Sequence, residues 1–170
     1  MTSETMSWRP MTPRDLPAVD AIAARVHLAY PEDAAVFEER LALYPQGCFM
    51  LHAGAAPIGY LISHPWTFAA PPALNVLLGA LPAPASTYYI HDLALLPQAR
   101  GHGAAAAALN AVVAQARGEN AGNISLVAVN NSVQFWRRQG FHSHLDDALA
   151  QKLASYGADA CYMVRTRASD

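Results

Sequence analysis

The residues best suited to chemistry fall in one stretch, from His91 to Ala104. Within it, Leu95-Leu-Pro-Gln98-Ala-Arg100-Gly101-His102-Gly103-Ala104 joins a strand-like run to an alanine-rich helical run through two glycines spaced by one residue. Glycine takes unusual φ values and lets the backbone come close to a ligand. The helix that follows presents unpaired N–H groups and a partial positive charge. Such a turn makes a cradle for a pyrophosphate, and Arg100 adds a fixed cation. A tight turn without a ligand is the alternative reading. A dinucleotide fingerprint would need a third glycine near position 106, where Ala106 stands, and a place near the start of a βαβ unit. Just upstream, His91 and Asp92 sit mid-strand. An imidazole titrates near pH ~6.5, so a histidine can accept a proton at neutral pH. Successive strand residues face opposite sides, so these two point the same way only if the strand is bulged. For each, the alternative is a polar residue tied to backbone in a half-buried strand.

The other reactive side chains carry less. Cys48 and Cys161 are far apart and form no ligand spacing, so two free thiols in a reducing cytoplasm are expected. His142 and His144 alternate about Ser143, but no third ligand accompanies them, and no metal site is predicted. The 170 residues are 53% hydrophobic and 14% charged, with a net charge of −2, which suits a single domain over 1–170 with a full core. That charge does not favour nucleic acid as a partner. Met1-Thr-Ser-Glu-Thr has neither a basic nor an apolar leader region, so no signal peptide is expected. No charged residue occurs between Arg40 and Asp92, and Phe68 to Ala85 is apolar enough to suggest a membrane span. Pro71, Pro72, Pro82 and Pro84 would break a spanning helix, so no membrane partner is expected. The run reads as an apolar loop with a short helical piece near Leu74–Leu78.

Stepping along the chain, Trp8-Arg-Pro-Met can open as a strand. Thr12-Pro13 starts a helix, and Leu16, Val19, Ile22, Ala23 and Val26 follow at helical spacing. A second helix is expected from about Glu32 to Leu43. Cys48–His52 and Pro57–His64 form a hairpin about Gly54. Further strands are predicted at Thr87–Leu96, Ile124–Val129, Phe141–Leu145 and Ala160–Arg165, with helices at Ala104–Arg117 and Ser132–Arg138. Gly140 suits a left-handed C-cap, and a loop or weak helix covers Asp146–Ala154. The fold class is α/β, a mixed sheet of about seven strands flanked by about four helices.

Three segments carry a family resemblance. Gln98-Ala-Arg-Gly-His-Gly-Ala104 resembles the Q/R-x-x-G-x-G/A signature of the GNAT superfamily of acetyl-CoA-dependent N-acetyltransferases. Asn130-Asn-Ser-Val-Gln-Phe135-Trp136-Arg-Arg-Gln-Gly140-Phe141 resembles its N-x-x-A-x-x-(L/F)-Y-x-x-x-G-F segment, and Asp159–Met163 its final strand. The resemblance implies a largely antiparallel sheet and acetyl-CoA as co-substrate in an opening between the fourth and fifth strands. It further implies that Leu93 and Leu95 pair with the pantetheine arm. The pyrophosphate would sit on Arg100, Gly101, His102, Gly103 and Ala104, with Gln98 at the start of the loop. Asn130 would be a cofactor-side residue, and Phe135 and Trp136 would lie beside the thioester arm. For Phe135 core packing is the alternative. The expected activity is direct transfer of acetyl to a primary amine of a small molecule or peptide, in the cytoplasm. Polyamine acetyltransferases of the superfamily carry an acidic pair where His91 and Asp92 stand, which suggests His91 as base and Asp92 as amine-binding group.

The sequence departs from the family in one place that matters. Many members have a tyrosine at the Trp136 position to protonate the leaving thiolate, and an indole is no practical acid. Tyr156 is the candidate replacement, with solvent as the other source. A non-catalytic acyl-CoA-binding or sensor domain is the alternative function. The run 64–86 is an insertion, read as a wall over the acceptor site or as the surface of a homodimer.

Overall fold

The computed structural model describes residues 4–167; the outer three at each end of the expected domain lie outside the described residues. Alternating and β-branched runs form strands β1 (Met6–Pro10), β2 (Cys48–Ala53), β3 (Ala56–Trp66), β4 (Thr87–Leu95), β5 (Asn123–Ala128), β6 (His142–Ser143) and β7 (Cys161–Thr166). Helices are α1 (Leu16–Val26), α2 (Ala34–Leu43), α3 (Ala104–Gly118), α4 (Val133–Arg138) and α5 (Asp147–Lys152). The sheet runs β1-β2-β3-β4-β5-β7-β6, antiparallel throughout except for the parallel pair β4–β5. This is the mixed, largely antiparallel α/β architecture expected.

Helices cover both faces. Val19, Ile22, Phe37 and Leu41 of α1 and α2 pack on Met50, Tyr60 and Ile62. Ala108, Leu109, Val112 and Ala116 of α3 pack on the opposite face with Tyr88, Ile90 and Leu126. Thr12 starts the first helical turn through a capping box with Asp15. The indole N–H of Trp8 donates to the Ala104 carbonyl at 2.9 Å, which ties β1 to the first turn of α3.

Four local expectations are corrected. Among the described residues five α-helices stand where about four were expected, because Asp146 caps Leu149 N–H at 2.7 Å and makes a helix, Asp147–Lys152, within the segment read as a loop or weak helix. The strand at Phe141–Leu145 shrinks to His142–Ser143. The second helix begins at Ala34 rather than Glu32, whose side chain turns instead toward the sheet. Leu74–Leu78 is a turn and extended chain rather than a helix, with Asn75 at φ 61°. Side chains, not helical carbonyls, accept its backbone N–H groups: Glu32 takes Asn75, and Glu39 takes Leu78 and Gly79. Among the described residues no helix is long and apolar enough to cross a membrane.

Candidate active site

The sheet opens in the middle. β4 and β5 pair only over Tyr88–Ile90 and Ile124–Leu126. The next β4 residue is bulged: Ile90 opposes Ser63 and Asp92 opposes Ile62, which leaves His91 without a partner on β3. A bulge bends its strand and raises its twist, and from there β4 parts from β5. The result is a cleft of about 650 Å³. Its walls include Leu93 and Leu95 on one side, Val127, Val129 and Asn130 on the other, and Phe135 and Trp136 at the flank.

One end of the cleft is the glycine loop. Gly101 and Gly103 hold φ 79° and 77°, and a Cβ at either would meet nothing within 4 Å. Arg100, Gly101, Gly103 and Ala104 line the cleft, with α3 starting directly behind. The Arg100 Nε–H donates to the Leu95 carbonyl at 3.3 Å, holding the guanidinium back along β4. Unpaired N–H groups at the head of a fifteen-residue helix suit a phosphate. Gln98 and His102 are exposed and do not line the cleft. Phe135 contacts Trp136 edge-on at 4.9 Å, and Trp136 in turn packs on Phe141. Trp136 is both core and cleft wall.

The other end is polar. The bulge puts His91 and Asp92 on one face, where the 27–33 connection supplies a partner to each. His91 Nε2 lies 2.9 Å from Glu32 Oε1, and Asp92 Oδ1 lies 2.7 Å from His27 Nε2. Asp92 Oδ2 accepts from the Tyr60 hydroxyl. His27 Nδ1 meets Asn130 Nδ2 at 3.0 Å, a contact that spans the cleft. Nothing in the sequence periodicity singles out His27, Glu32 or Tyr60; only the tertiary fold brings them here. Tyr156 does not join them on the cleft lining. Its hydroxyl donates to the Pro72 carbonyl at 2.8 Å beneath the insertion, and burial pushes its pKa up, away from an acid's range.

Charge is unevenly spread over this floor. Burial alone would raise Asp92, but the charge and hydrogen bond of His27, then His91 and Tyr60, outweigh it and hold its carboxyl low. Burial alone would lower His27, but Asp92 and then Glu32 outweigh it and raise its pKa. A carboxyl lowered on folding stabilises above its unfolded value, here 3.8, and loses that effect as pH falls through the folded value. A raised imidazole stabilises below its unfolded value, here 6.5, and loses that effect as pH rises through the folded one. The His27–Asp92 pair therefore stabilises most between those limits. Tm measured against pH is expected to peak there, and Asp92→Asn to flatten the peak.

Behind this floor Arg40 is buried with Nε and Nη2 unpartnered, while Nη1 donates to Val76 O and Glu39 Oε1, both at 3.0 Å. His64 beside it is pushed down to about 3 by burial, so it is neutral, with Nδ1 donating to the Pro65 carbonyl.

Comparison with known proteins bears on this geometry. A family model described as acetyltransferase (GNAT) family matches residues 13–141. No curated protein matches the sequence. Among solved structures, Ard1 from Thermoplasma volcanium superposes with a TM-score of 0.71 at 14% identity, over 96% of this chain and 99% of that one. The GphF GNAT-like decarboxylase in complex with isobutyryl-CoA gives 0.73 at 19%, over 94% and 98%. Arabidopsis thaliana Naa50 in complex with the bisubstrate analogue CoA-Ac-MVNAL gives 0.66 at 15%, over 96% and 99%.

Proposed function

The chain belongs to the acetyltransferase (GNAT) family, and on that premise we propose that it moves the acetyl group of acetyl-CoA directly to a primary amine of a small molecule or peptide. The observation that carries this reading is the cleft itself. Its parted strands leave β4 without a β5 partner beside Leu93 and Leu95, with a glycine phosphate cradle at one end and two imidazole–carboxylate pairs at the other. Two of the similar structures hold CoA compounds, isobutyryl-CoA in one and a CoA-peptide bisubstrate analogue in the other.

In this reading Arg100, Gly101, Gly103 and Ala104 hold the pyrophosphate, and Leu93 and Leu95 pair with the pantetheine arm. Asn130, Phe135 and Trp136 border the thioester. Gln98 and His102 support the loop without touching the donor. An amine must attack as the neutral base, so a group near the thioester has to accept its proton. Glu32 and Asp92 lend negative charge to the floor and draw an ammonium toward it. The leaving thiolate is protonated from solvent, since a thiol titrates near pH ~8.5. Two free thiols, Cys48 buried and Cys161 partly so, fit a reducing compartment. Burial pushes Cys48 up to about 12, which argues against a thiolate nucleophile there.

Thiol release from acetyl-CoA against amines, amino acids, polyamines and N-terminal peptides tests the proposal, with acetyl-CoA binding measured alongside. Turnover with one amine class is expected. Tight binding without turnover would favour a sensor domain, and absence of binding would overturn the reading.

A further inference from the structure

We propose that His27, oriented by Asp92, is the group that takes the amine proton, a proposal that rests on the amine-acetylation reading above. The sequence drew attention to His91, but the fold gives the two imidazoles different surroundings. His91 donates from Nε2 to Glu32, and its Nδ1 is sealed from solvent with no partner among the described residues; its side chain is 3% exposed against 15% for His27. A general base must reach the proton directly or through one water. The sealed nitrogen of His91 offers no such path.

His27 ends α1, and its imidazole is held at both nitrogens. A carboxylate only accepts, so the 2.7 Å contact fixes the ring proton on Nε2 and points it at Asp92. The lone pair is then on Nδ1, where the Asn130 amide N–H donates to it from 3.0 Å. Asn130 follows β5 on the opposite side of the opening, so this lone pair points across the space where thioester and amine would meet. An incoming amine N–H replaces that of Asn130 on Nδ1. Both Asp92 oxygens are already engaged, one by His27 and the other by Tyr60, so Asp92 acts on the reacting amine through the ring. It fixes the tautomer and offsets the charge that the ring acquires, the role of an orienting carboxylate behind a histidine.

The step balances. The amine nitrogen attacks the thioester carbonyl carbon; the N–C bond forms, the C–S bond breaks, and the electron pair leaves on sulfur. The amine proton goes to Nδ1 of His27. The imidazolium then gives it to solvent, and solvent protonates the thiolate.

The groups facing His27 are Asp92 from β4, Glu32 from the 27–33 connection and Asn130 from beyond β5, with Tyr60 of β3 behind Asp92 and His91 beyond Glu32. Asp92 raises the imidazole pKa by charge and hydrogen bond, and Glu32 adds to this, against the lowering by burial. A base works when neutral, so the rate should fall as pH drops through that raised value.

The test compares wild type, His27→Gln, Asp92→Asn and His91→Gln on the best amine from about pH 6 to 9, reading kcat and KM separately. It adds an imidazole nitrogen NMR titration of the full wild-type and Asp92→Asn chains. His27→Gln is expected to lose about 10²- to 10⁴-fold in kcat, with KM for acetyl-CoA changed less than about threefold. Asp92→Asn should move the acid limb to lower pH. The amine's own ionisation is common to both proteins and cannot produce that shift. The NMR titration should find His27 protonated on Nε2, with a pKa that falls in Asp92→Asn. The proposal is overturned if His27→Gln keeps kcat and the acid limb, if the limb vanishes in His91→Gln instead, or if His27 carries its proton on Nδ1. If wild type acetylates no amine, the acetylation reading falls and this proposal falls with it, whatever the NMR shows. An inactive wild type is thus told apart from an active one whose base lies elsewhere.

Discussion

Replacing Gly47 with alanine is expected to lower Tm by about 6–20 °C, because no other glycine would bring an added Cβ so close to a neighbouring atom. Gly47 closes the short turn Pro45–Gly47 that feeds β2, and its Cα faces β3. A Cβ built there would stand 2.0 Å from the Ser63 carbonyl oxygen and 2.8 Å from both the Ser63 carbonyl carbon and a Tyr44 ring carbon. Backbone cannot move aside as a flexible side chain would. The approach is also pinned from the other direction, since the Ser63 hydroxyl donates to the Gly47 carbonyl at 2.9 Å and meets the Tyr88 hydroxyl at 2.9 Å. Opening the strands by more than an ångström disrupts that buried network, at a cost of about 3–5 kcal/mol. At roughly 2–4 °C per kcal/mol for a chain of this size, thermal melting will register it clearly. Gly122→Ala is the control, because a Cβ there meets nothing within 4 Å. Equal Tm values for the two variants would refute the argument.

The double change Gly101→Ala, Gly103→Ala should act on donor binding as well as on folding. Both sites have room for a methyl in the protein itself. In the protein itself each left-handed φ costs about 1–2 kcal/mol. The donor loses as well, because the methyls stand where a phosphate would approach and the N–H groups lose their aim. A hydrogen bond to a charged group contributes about 1.5–3 kcal/mol, so losing one should raise Kd for acetyl-CoA by about 10- to 150-fold. Calorimetry set beside a thermal melt separates the two costs. A Kd within about threefold of wild type would end the phosphate-cradle reading.

Much of this is legible in the sequence. The glycine loop is local: two residues at positive φ, then a helix start, all written in one contiguous segment. Strand alternation lets His91 and Asp92 share a face only at a bulge, and the sheet register shows one there. The carboxylate and imidazole partners were not legible. His27 and Glu32 lie in a connection between two helices, far from β4 in sequence, and no periodicity marks such residues. Tyr156 attracted notice by its position before the last strand, but packing beneath the insertion committed its hydroxyl to Pro72. Arginine usually faces water, yet Arg40 lies on the buried face of α2 with Val36, Phe37 and Leu41 and is 1% exposed. The apolar run at Leu74–Leu78 suggested a helix because composition cannot show that two glutamates will claim its N–H groups.

Those glutamates have a consequence for how the chain can change. Asn75, Leu78 and Gly79 give their amides to Glu32 and Glu39, Val76 gives its carbonyl to Arg40, and Leu74 gives its amide to Ser155. The insertion has no ladder of its own in this region; its backbone is satisfied largely by side chains from α2 and the turn before it. Segments joined in this way open and close as one cooperative unit. The insertion and α2 are therefore coupled: shortening the insertion would strand a buried cation and two carboxylates, and removing Glu39 would free the insertion to drift.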